Sequence, residues 1–137
     1  RERLLSALRA IATVEAALEW TVGYTKERKA FGQAIFDFQN TKFKLAEVRA
    51  NAVVGRAFID RCIQMQVDGT LDLETAAIAK LWASEVQSKA VDECLQLFGG
   101  YGYMWEYPIA RLYADARINR IYAGSSEVMK LIISRHL

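Results

Sequence analysis

The chain has few of the side chains that carry nucleophilic or metal chemistry. It contains a single histidine, His136, beside the C-terminus, and two cysteines, Cys62 and Cys94, which lie far apart. These residues cannot form a Ser-His-Asp triad or a tetrahedral zinc site. The Glu-x-x-His repeats of a di-iron bundle site are also absent. The sequence therefore predicts no metal site, and any chemistry falls to three loops that contain glycine.

The first of these loops combines a guanidinium, an aromatic ring and an amide. Arg28 and Phe31 precede Gly32, and Gln39 follows at the start of the next apolar pattern. An arginine binds phosphate through paired hydrogen bonds, and an exposed ring can stack on a planar ligand. The alternative is an exposed arginine with a phenylalanine that plugs the loop into the core, and the spacing alone leaves both interpretations open.

The second and third loops offer backbone groups to a ligand. Gly99 and Gly100, which follow Gln96, leave N–H groups unshielded. Because this loop follows a helix, it is not the strand-turn-helix dinucleotide fingerprint. In the third loop, Ser125 and Glu127 stand at a predicted helix N-terminus, where anions bind favourably. A plain helix stop and ordinary helix capping would explain the same residues.

Helices must position these loops, because the 137 residues include one proline and only eight glycines. Apolar residues recur at three, four and seven positions, which is the helical period. The predicted helices are Arg3–Lys26, Gln39–Val67, Asp72–Leu97, Pro108–Arg117 and a fifth after Gly124, with a loop at 29–38. We expect an all-α, antiparallel bundle of the four-helix type, in one domain over residues 1–137. The alanine-rich third helix should be central and the most buried.

Composition narrows the classes of protein further. Lys and Arg number 18 against 16 Asp and Glu, a net charge of +2 with no basic cluster, so we expect no nucleic-acid partner. No apolar run approaches the roughly 20 residues that span a bilayer, so we expect no membrane span. The chain begins with Arg1 and not methionine, which indicates a fragment of a longer protein. Cys62 and Cys94 lie in apolar helical patterns and should be reduced core thiols.

Several motifs become specific when they are taken together and in order. They are Glu27–Gly32 with Phe38–Gln39, Lys44–Glu47, Gln96–Tyr103, Arg117–Ile118 and Ile121–Glu127. Across essentially the whole chain, this series resembles the C-terminal helical-bundle domain of the acyl-CoA dehydrogenase family. The further runs Ala83–Glu85, Gly102–Ala110 and Glu127–Lys130 resemble the long-chain type most. The family's N-terminal helical domain and middle β-domain are missing from this sequence.

The resemblance implies that FAD is the cofactor. In the family, FAD lies between the middle β-domain, this bundle and the bundle of a neighbouring subunit. The positions that resemble contacts to the neighbour's FAD are Arg28, Phe31 and Gln39. Those that resemble the loop at its adenosine and diphosphate end are Gln96, Gly99 and Gly100. Ser125 and Glu127 resemble contacts to its phosphate and sugar region.

The resemblance also implies a substrate site and a catalytic base. Gly124 resembles the residue beside the acyl thioester, and Arg3 and Tyr122 are predicted to bind substrate. Many members carry a catalytic glutamate where this chain has Ala123, whose methyl group cannot accept a proton. The long-chain and isovaleryl types supply the base from the first helix instead, in a context that Glu2-Arg3-Leu4 matches, so Glu2 is the predicted base. The alternative for Glu2 is a frayed, solvent-exposed terminal residue.

The implied activity is α,β-desaturation of an acyl-CoA thioester, with electrons passing to an electron-transfer flavoprotein. The implied assembly is a homo-oligomer, in the cytoplasm of a bacterium or the mitochondrial matrix of a eukaryote. The fragment alone, without the missing domains, is expected to be inactive. Two alternatives stay open: a domain of an oxygen-using acyl-CoA oxidase-like or nitroalkane-type flavoenzyme, and a non-catalytic helical interaction module.

Overall fold

A computed structural model describes residues 1–137 and confirms the all-α bundle. Its helices are α1 (Glu2–Glu27), α2 (Gln39–Val67), α3 (Leu73–Leu97), α4 (Pro108–Arg117) and α5 (Ser126–Ser134). Three short 3₁₀ turns lie at Ile35–Asp37, Gly99–Tyr103 and Ile118–Arg120. None of the helices combines the length and the apolar character that crossing a membrane requires.

The residues at the helix ends explain the boundaries. Asp72 caps α3, because its carboxylate accepts from the Thr75 backbone N–H at 2.7 Å and from the Thr75 hydroxyl at 2.8 Å. Pro108 occupies the first turn of α4, where its missing N–H leaves no bond unmade. Ser125 caps α5 by accepting from the backbone N–H of Val128 at 3.4 Å. The predicted start signals are therefore the ones the fold uses.

The segment between α1 and α2, predicted as a loop, contains a small antiparallel hairpin. Its strands are β1 (Lys29–Ala30) and β2 (Gln33–Ala34), with Lys29 opposite Ala34 and Ala30 opposite Gln33. The two turn residues, Phe31 and Gly32, have φ values of 53° and 80°. Two left-handed residues in succession match the twist of a two-residue hairpin, so the segment is more ordered than its sequence indicates.

The core lies around α1 and α3. α3 is central as predicted, since it packs against each of the other four helices. α3 was also predicted to be the most buried helix, but α1 buries as many residues, ten in each helix. α2 approaches both helices at Gly55, where an added Cβ would lie 2.5 Å from Cδ1 of Ile11 and 2.9 Å from Cζ3 of Trp82. Close packing of the three long helices therefore favours a glycine at this position, because a larger residue would have to displace the Ile11 and Trp82 side chains.

The two cysteines are free and buried, as expected for core thiols. Cys62 lies on α2 and Cys94 on α3, and burial raises the pKa of each thiol. Because the thiolate is the reactive form of cysteine, both are chemically inert members of the core.

Candidate functional site

A cleft of about 660 Å³ opens at the end of the bundle where α1 begins. We call it the Glu2 cleft. It brings the predicted residues Glu2, Arg3 and Gly124 together, with Ala123 beside them. Tyr122 lies in the same turn, 40% exposed, but does not line the cleft. The full lining is Arg1, Glu2, Arg3, Gln66, Leu71, Asp72, Leu73, Ala76, Ala123 and Gly124.

The turn at the cleft wall has an unusual backbone. Ala123 has a φ of 53° and Gly124 a φ of 92°, both in the left-handed region. For alanine this conformation is strained, so the surrounding structure must enforce it. A Cβ on residue 124 would lie 2.5 Å from Cε of Met129, so a larger residue would have to displace the end of that side chain as well as adopt a strained φ. The shape of the turn is thus set by its packing as well as by its sequence.

A buried lysine donates a hydrogen bond to this turn. Lys80 of α3 has no exposed surface, and its Nζ donates to the Gly124 carbonyl oxygen at 2.6 Å. Burial lowers the pKa of Lys80; the negative charge of Glu85 opposes that shift, and the positive charge of Arg3 adds to it. Sequence reasoning missed this residue. Its position one turn after Ala76 and three residues before Ala83, both on the alanine-rich face, was the available signal.

Two further polar clusters tie the same end of the bundle together. The Glu85 carboxylate accepts from Arg120 Nε at 2.9 Å and from the Ser126 hydroxyl at 2.7 Å. Burial acts to raise the pKa of Glu85, but the hydrogen bonds from Ser126 and Arg120 outweigh it and the pKa is lowered. Glu85 is therefore a carboxylate, and it joins α3 to Arg120 before the cleft turn and to Ser126 after it.

The second cluster is fully buried and links α1, α3 and the segment after α4. The Ser6 hydroxyl donates to Oδ1 of Asn119 at 2.5 Å, and Nδ2 of Asn119 donates to Oε1 of Gln87 at 2.8 Å. All three side chains are buried, and none has an unpaired buried polar atom. Satisfied buried networks of this kind fix one arrangement of the elements that they join.

A second concave surface, of about 710 Å³, lies where α1 and α3 end. We call it the Arg28 groove. It unites four of the predicted cofactor positions, Arg28, Gln96, Gly99 and Gly100. The Arg28 guanidinium lies 5.4 Å from the ring centroid of Tyr101. The full lining is Tyr24, Arg28, Ala30, Ile35, Gln96, Leu97, Phe98, Gly99, Gly100, Tyr101 and Met104.

The other predicted cofactor residues lie elsewhere. Phe31 is 95% exposed at the hairpin tip, 6.4 Å from Phe38 between ring centroids, so the alternative in which it plugs the core is wrong. Gln39 is exposed at the first position of α2 and does not line the groove. Ser125 and Glu127 are at the start of α5, beside the Glu2 cleft. Backbone and Ser125 hydrogen bonds lower the pKa of Glu127.

The two concave surfaces lie at opposite ends of one rod. α1 has 26 residues, which corresponds to a length of about 39 Å. α3 runs parallel to it, since Leu73 lines the Glu2 cleft and Gln96 the Arg28 groove. One helical bundle thus carries a carboxylate cleft at one end and a groove with a guanidinium and open glycine backbone at the other.

Comparison with known proteins identifies the family to which this chain belongs. The family model "Acyl-CoA dehydrogenase, C-terminal domain" matches residues 1–137. The long-chain specific mitochondrial acyl-CoA dehydrogenase of Mus musculus is 48% identical over 137 residues, which is 100% of this chain and 32% of that protein. This chain therefore belongs to the acyl-CoA dehydrogenase family and corresponds to its C-terminal domain, as the sequence resemblance predicted.

Solved structures agree with this assignment. The acyl-CoA dehydrogenase of Geobacillus kaustophilus aligns with a TM-score of 0.97 and 41% identity, covering 99% of this chain and 36% of that one. A glutaryl-CoA dehydrogenase of Mycobacterium smegmatis, solved in complex with FADH2, aligns with a TM-score of 0.94 and 25% identity, covering 98% of this chain and 35% of that one. The chain spans about a third of the length of the relatives that it matches.

Proposed function

We propose that this chain is the C-terminal domain of an FAD-dependent acyl-CoA dehydrogenase that desaturates acyl-CoA thioesters, with Glu2 as the catalytic base. The observation that carries the proposal is the composition of the Glu2 cleft. Its lining includes only two carboxylates, Glu2 and Asp72. Both oxygens of Asp72 accept hydrogen bonds from Thr75. These bonds lower the pKa of Asp72, and the bond from the Thr75 backbone N–H has the largest effect. Asp72 is thus the poorer base, and Glu2 is the carboxylate left to take a proton.

In the proposed reaction the Glu2 carboxylate takes a proton from the α-carbon of the thioester. The β-hydrogen leaves with its electron pair, and the carbon–carbon double bond forms between these two positions. FAD, when bound, accepts that hydride. Arg3 projects about 100° around α1 from Glu2, so we assign it to orienting the substrate or the cleft turn, with Gly124 and Tyr122.

The Arg28 groove fits the anionic part of FAD. The Arg28 guanidinium supplies fixed positive charge, and a Cβ built on Gly99 or on Gly100 would meet nothing within 4 Å, so a ligand can approach the backbone there. We assign Gln96, Gly99 and Gly100 to the diphosphate and adenosine end of FAD, and Arg28, in the same groove, to the FAD of a neighbouring subunit, whose diphosphate its charge would meet. Gln39 and the exposed Phe31 would reach the FAD of a neighbouring subunit in a homo-oligomer.

At the other end of the bundle, Ser125 and Glu127 are assigned to the phosphate and sugar region of the FAD beside the Glu2 cleft, a different molecule from the one at the Arg28 groove, because the two surfaces lie at opposite ends of a rod about 39 Å long. Glu127 is exposed, and its lowered pKa keeps it a carboxylate. A carboxylate repels phosphate but accepts hydrogen bonds from hydroxyl groups, so Glu127 suits the sugar and Ser125 the phosphate.

After the hydride transfer, electrons would pass from the reduced flavin to an electron-transfer flavoprotein, in the bacterial cytoplasm or the mitochondrial matrix.

The test replaces Glu2 in the full-length flavin-loaded enzyme. Glu2→Gln removes the base without changing its size, so flavin reduction by acyl-CoA should slow by about 10²–10⁴-fold while flavin content and ligand binding persist. Rapid-mixing spectroscopy under anaerobic conditions measures this rate. Glu19→Gln is the matched control, since Glu19 is exposed on the same helix. It should reduce flavin at the unaltered rate.

A second substitution sharpens the assignment. Ala123→Glu in the Glu2→Gln background should restore part of the rate, because Ala123 lines the same cleft. Near-normal flavin reduction by Glu2→Gln alone would show that Glu2 is not the base. Fast reoxidation of the reduced enzyme by oxygen, in preference to an electron-transfer flavoprotein, would favour the oxidase-like alternative.

A further inference from the structure

Lys80 is the one buried lysine of the bundle, and neither the family resemblance nor the proposed reaction gives it a role. It lies on α3, one helical turn after the cleft residue Ala76, but does not itself line the Glu2 cleft. Its only hydrogen-bond acceptor is the carbonyl oxygen of Gly124, at 2.6 Å. Lys80 therefore contacts the cleft turn without lining the cleft itself.

Packing alone does not explain a lysine at this position. Burying an ammonium requires the loss of its hydration, and here no carboxylate lies within salt-bridge distance of it. The negative charge of Glu85 is favourable to the ammonium, and the positive charge of Arg3 is unfavourable. An apolar residue of similar volume would fill the same space without that penalty. What the ammonium provides and an apolar side chain cannot is a strong donor to the Gly124 carbonyl.

That carbonyl belongs to the residue that directly follows the strained Ala123. Ala123 is held at a φ of 53° and Gly124 at 92°, and a strained backbone persists only where its surroundings fix it. A hydrogen bond from a charged donor is stronger than one between neutral groups and is directional. It fixes the plane of the peptide after Gly124, and with it the part of the turn that lines the same cleft as Glu2.

We propose that Lys80 is a positioning residue, whose ammonium holds the Gly124 carbonyl and so sets the turn that presents the thioester to Glu2. The proposal rests on the proposed function, since it assigns the turn a substrate. Lys80 touches neither substrate nor cofactor; it acts through the backbone of residues 123–125. Loss of this bond should misalign the reacting carbon without emptying the site.

The experiment compares Lys80→Met and Lys89→Met in the full-length flavin-loaded enzyme. Methionine keeps the length and apolar stem of lysine and removes the donor. Lys89 is a matched control, because it lies on the same helix but is exposed and pairs with Glu47, away from the turn. Flavin reduction should slow on the order of tenfold to a hundredfold in Lys80→Met and stay unchanged in Lys89→Met.

Two other readouts separate positioning from a merely structural role. Affinity for a non-oxidisable acyl-CoA analogue, titrated by its effect on the flavin spectrum, should change less than the rate does. Flavin content and resistance to urea should be retained, because methionine removes a buried charge. A variant that lost rate, affinity and stability in parallel would overturn the proposal.

The remaining outcomes also decide the question. If Lys80→Met reduces flavin at the normal rate while Glu2→Gln is impaired, the role of Lys80 is wrong and the proposed function stands. If Glu2→Gln is itself unimpaired, the proposed base fails instead. Should Lys80→Met not load flavin, Lys80→Gln, which keeps a neutral donor, is measured in its place and should reduce flavin more slowly than the unaltered enzyme, whereas an unaltered rate would overturn the proposal. Failure of both variants to load flavin would make Lys80 a folding determinant and overturn the proposal.

Discussion

The two ends of the bundle are built in different ways. Around the Glu2 cleft, buried polar side chains such as Lys80 and Asn119 hold the backbone through hydrogen bonds. Around the Arg28 groove, order comes from ring contacts, such as the stack of Tyr24 on Phe98 at 4.2 Å, and large apolar groups stay open to solvent. Phe31 is 95% exposed and Tyr103 92%. The backbone at the cleft end is held by hydrogen bonds within the chain, whereas the groove end exposes side chains that can contact another molecule.

This difference matches the demands of the proposed chemistry. Proton abstraction needs groups held to a fraction of an ångström, and buried networks supply that rigidity. A cofactor shared between subunits needs exposed contacts that form on assembly, and aromatic and arginine side chains suit such contacts. If the comparison is right, loss of an uncharged buried side chain that hydrogen-bonds other buried groups at the cleft end should lower folding stability, and loss of an exposed side chain at the groove end should lower cofactor binding instead.

The largest effect on stability is expected at the cleft end, from Asn119→Ala. The change leaves the Ser6 hydroxyl without its acceptor and Gln87 without its donor, both in buried positions. Each unpaired buried group costs about 1–3 kcal/mol, so the free energy of unfolding should fall by about 2–4 kcal/mol. Urea denaturation followed by circular dichroism measures it.

Asn40→Ala provides the control for Asn119→Ala. Asn40 is exposed near the start of α2, and its loss should change the free energy of unfolding by less than about 0.5 kcal/mol. Equal effects of the two substitutions would contradict the claim that the cleft end is fixed by its buried network.

These clusters also show where sequence reasoning stops. Helix boundaries followed from local signals, because Asp72, Pro108 and Ser125 act on backbone groups within three residues of themselves. The bond between Ser6 and Asn119 joins residues 113 positions apart, and no local pattern encodes such a pairing. Long-range polar partners are fixed only when the helices pack.

Two departures from expectation have a physical cause of the same kind. A lysine is ordinarily exposed, so an apolar-periodicity argument leaves Lys80 out, although its alanine-rich face is buried. The segment 29–38 was predicted as a loop because it contains Gly32 and interrupts the helical period, and a hairpin forms there because Phe31, as well as Gly32, adopts a left-handed φ. The grouping of Glu2 with Ala123 and Gly124 in one cleft, by contrast, was expected from the family resemblance.

A smaller effect should appear in the pH dependence of stability at Lys80. Burial lowers the folded-state pKa below the ordinary value of 10.5, with Glu85 opposing and Arg3 adding to that shift. Below the folded-state pKa, Lys80 is buried as the charged ammonium, and the whole cost of its lost hydration lowers the stability. Between that pKa and 10.5 the unfolded state binds more protons than the folded state, so the free energy of unfolding rises with pH. Relative to Lys80→Met, the intact chain should therefore become more stable as the solution is made alkaline. Urea midpoints of both proteins across that range measure the difference, and a constant difference would contradict the buried charge.

The smallest effect on stability, and the opposite pattern, is expected at the groove end. Arg28 is exposed and has no ion-pair partner, so Arg28→Ala should change the free energy of unfolding by less than about 0.5 kcal/mol. In the full-length enzyme it removes the charge assigned to the FAD diphosphate, and flavin absorbance retained after dialysis should fall. Lys29→Ala is the control, because Lys29 is an exposed neighbouring cation that does not line the groove. Unchanged flavin retention in Arg28→Ala, or equal loss in Lys29→Ala, would remove Arg28 from the cofactor site and leave the groove without its assigned ligand.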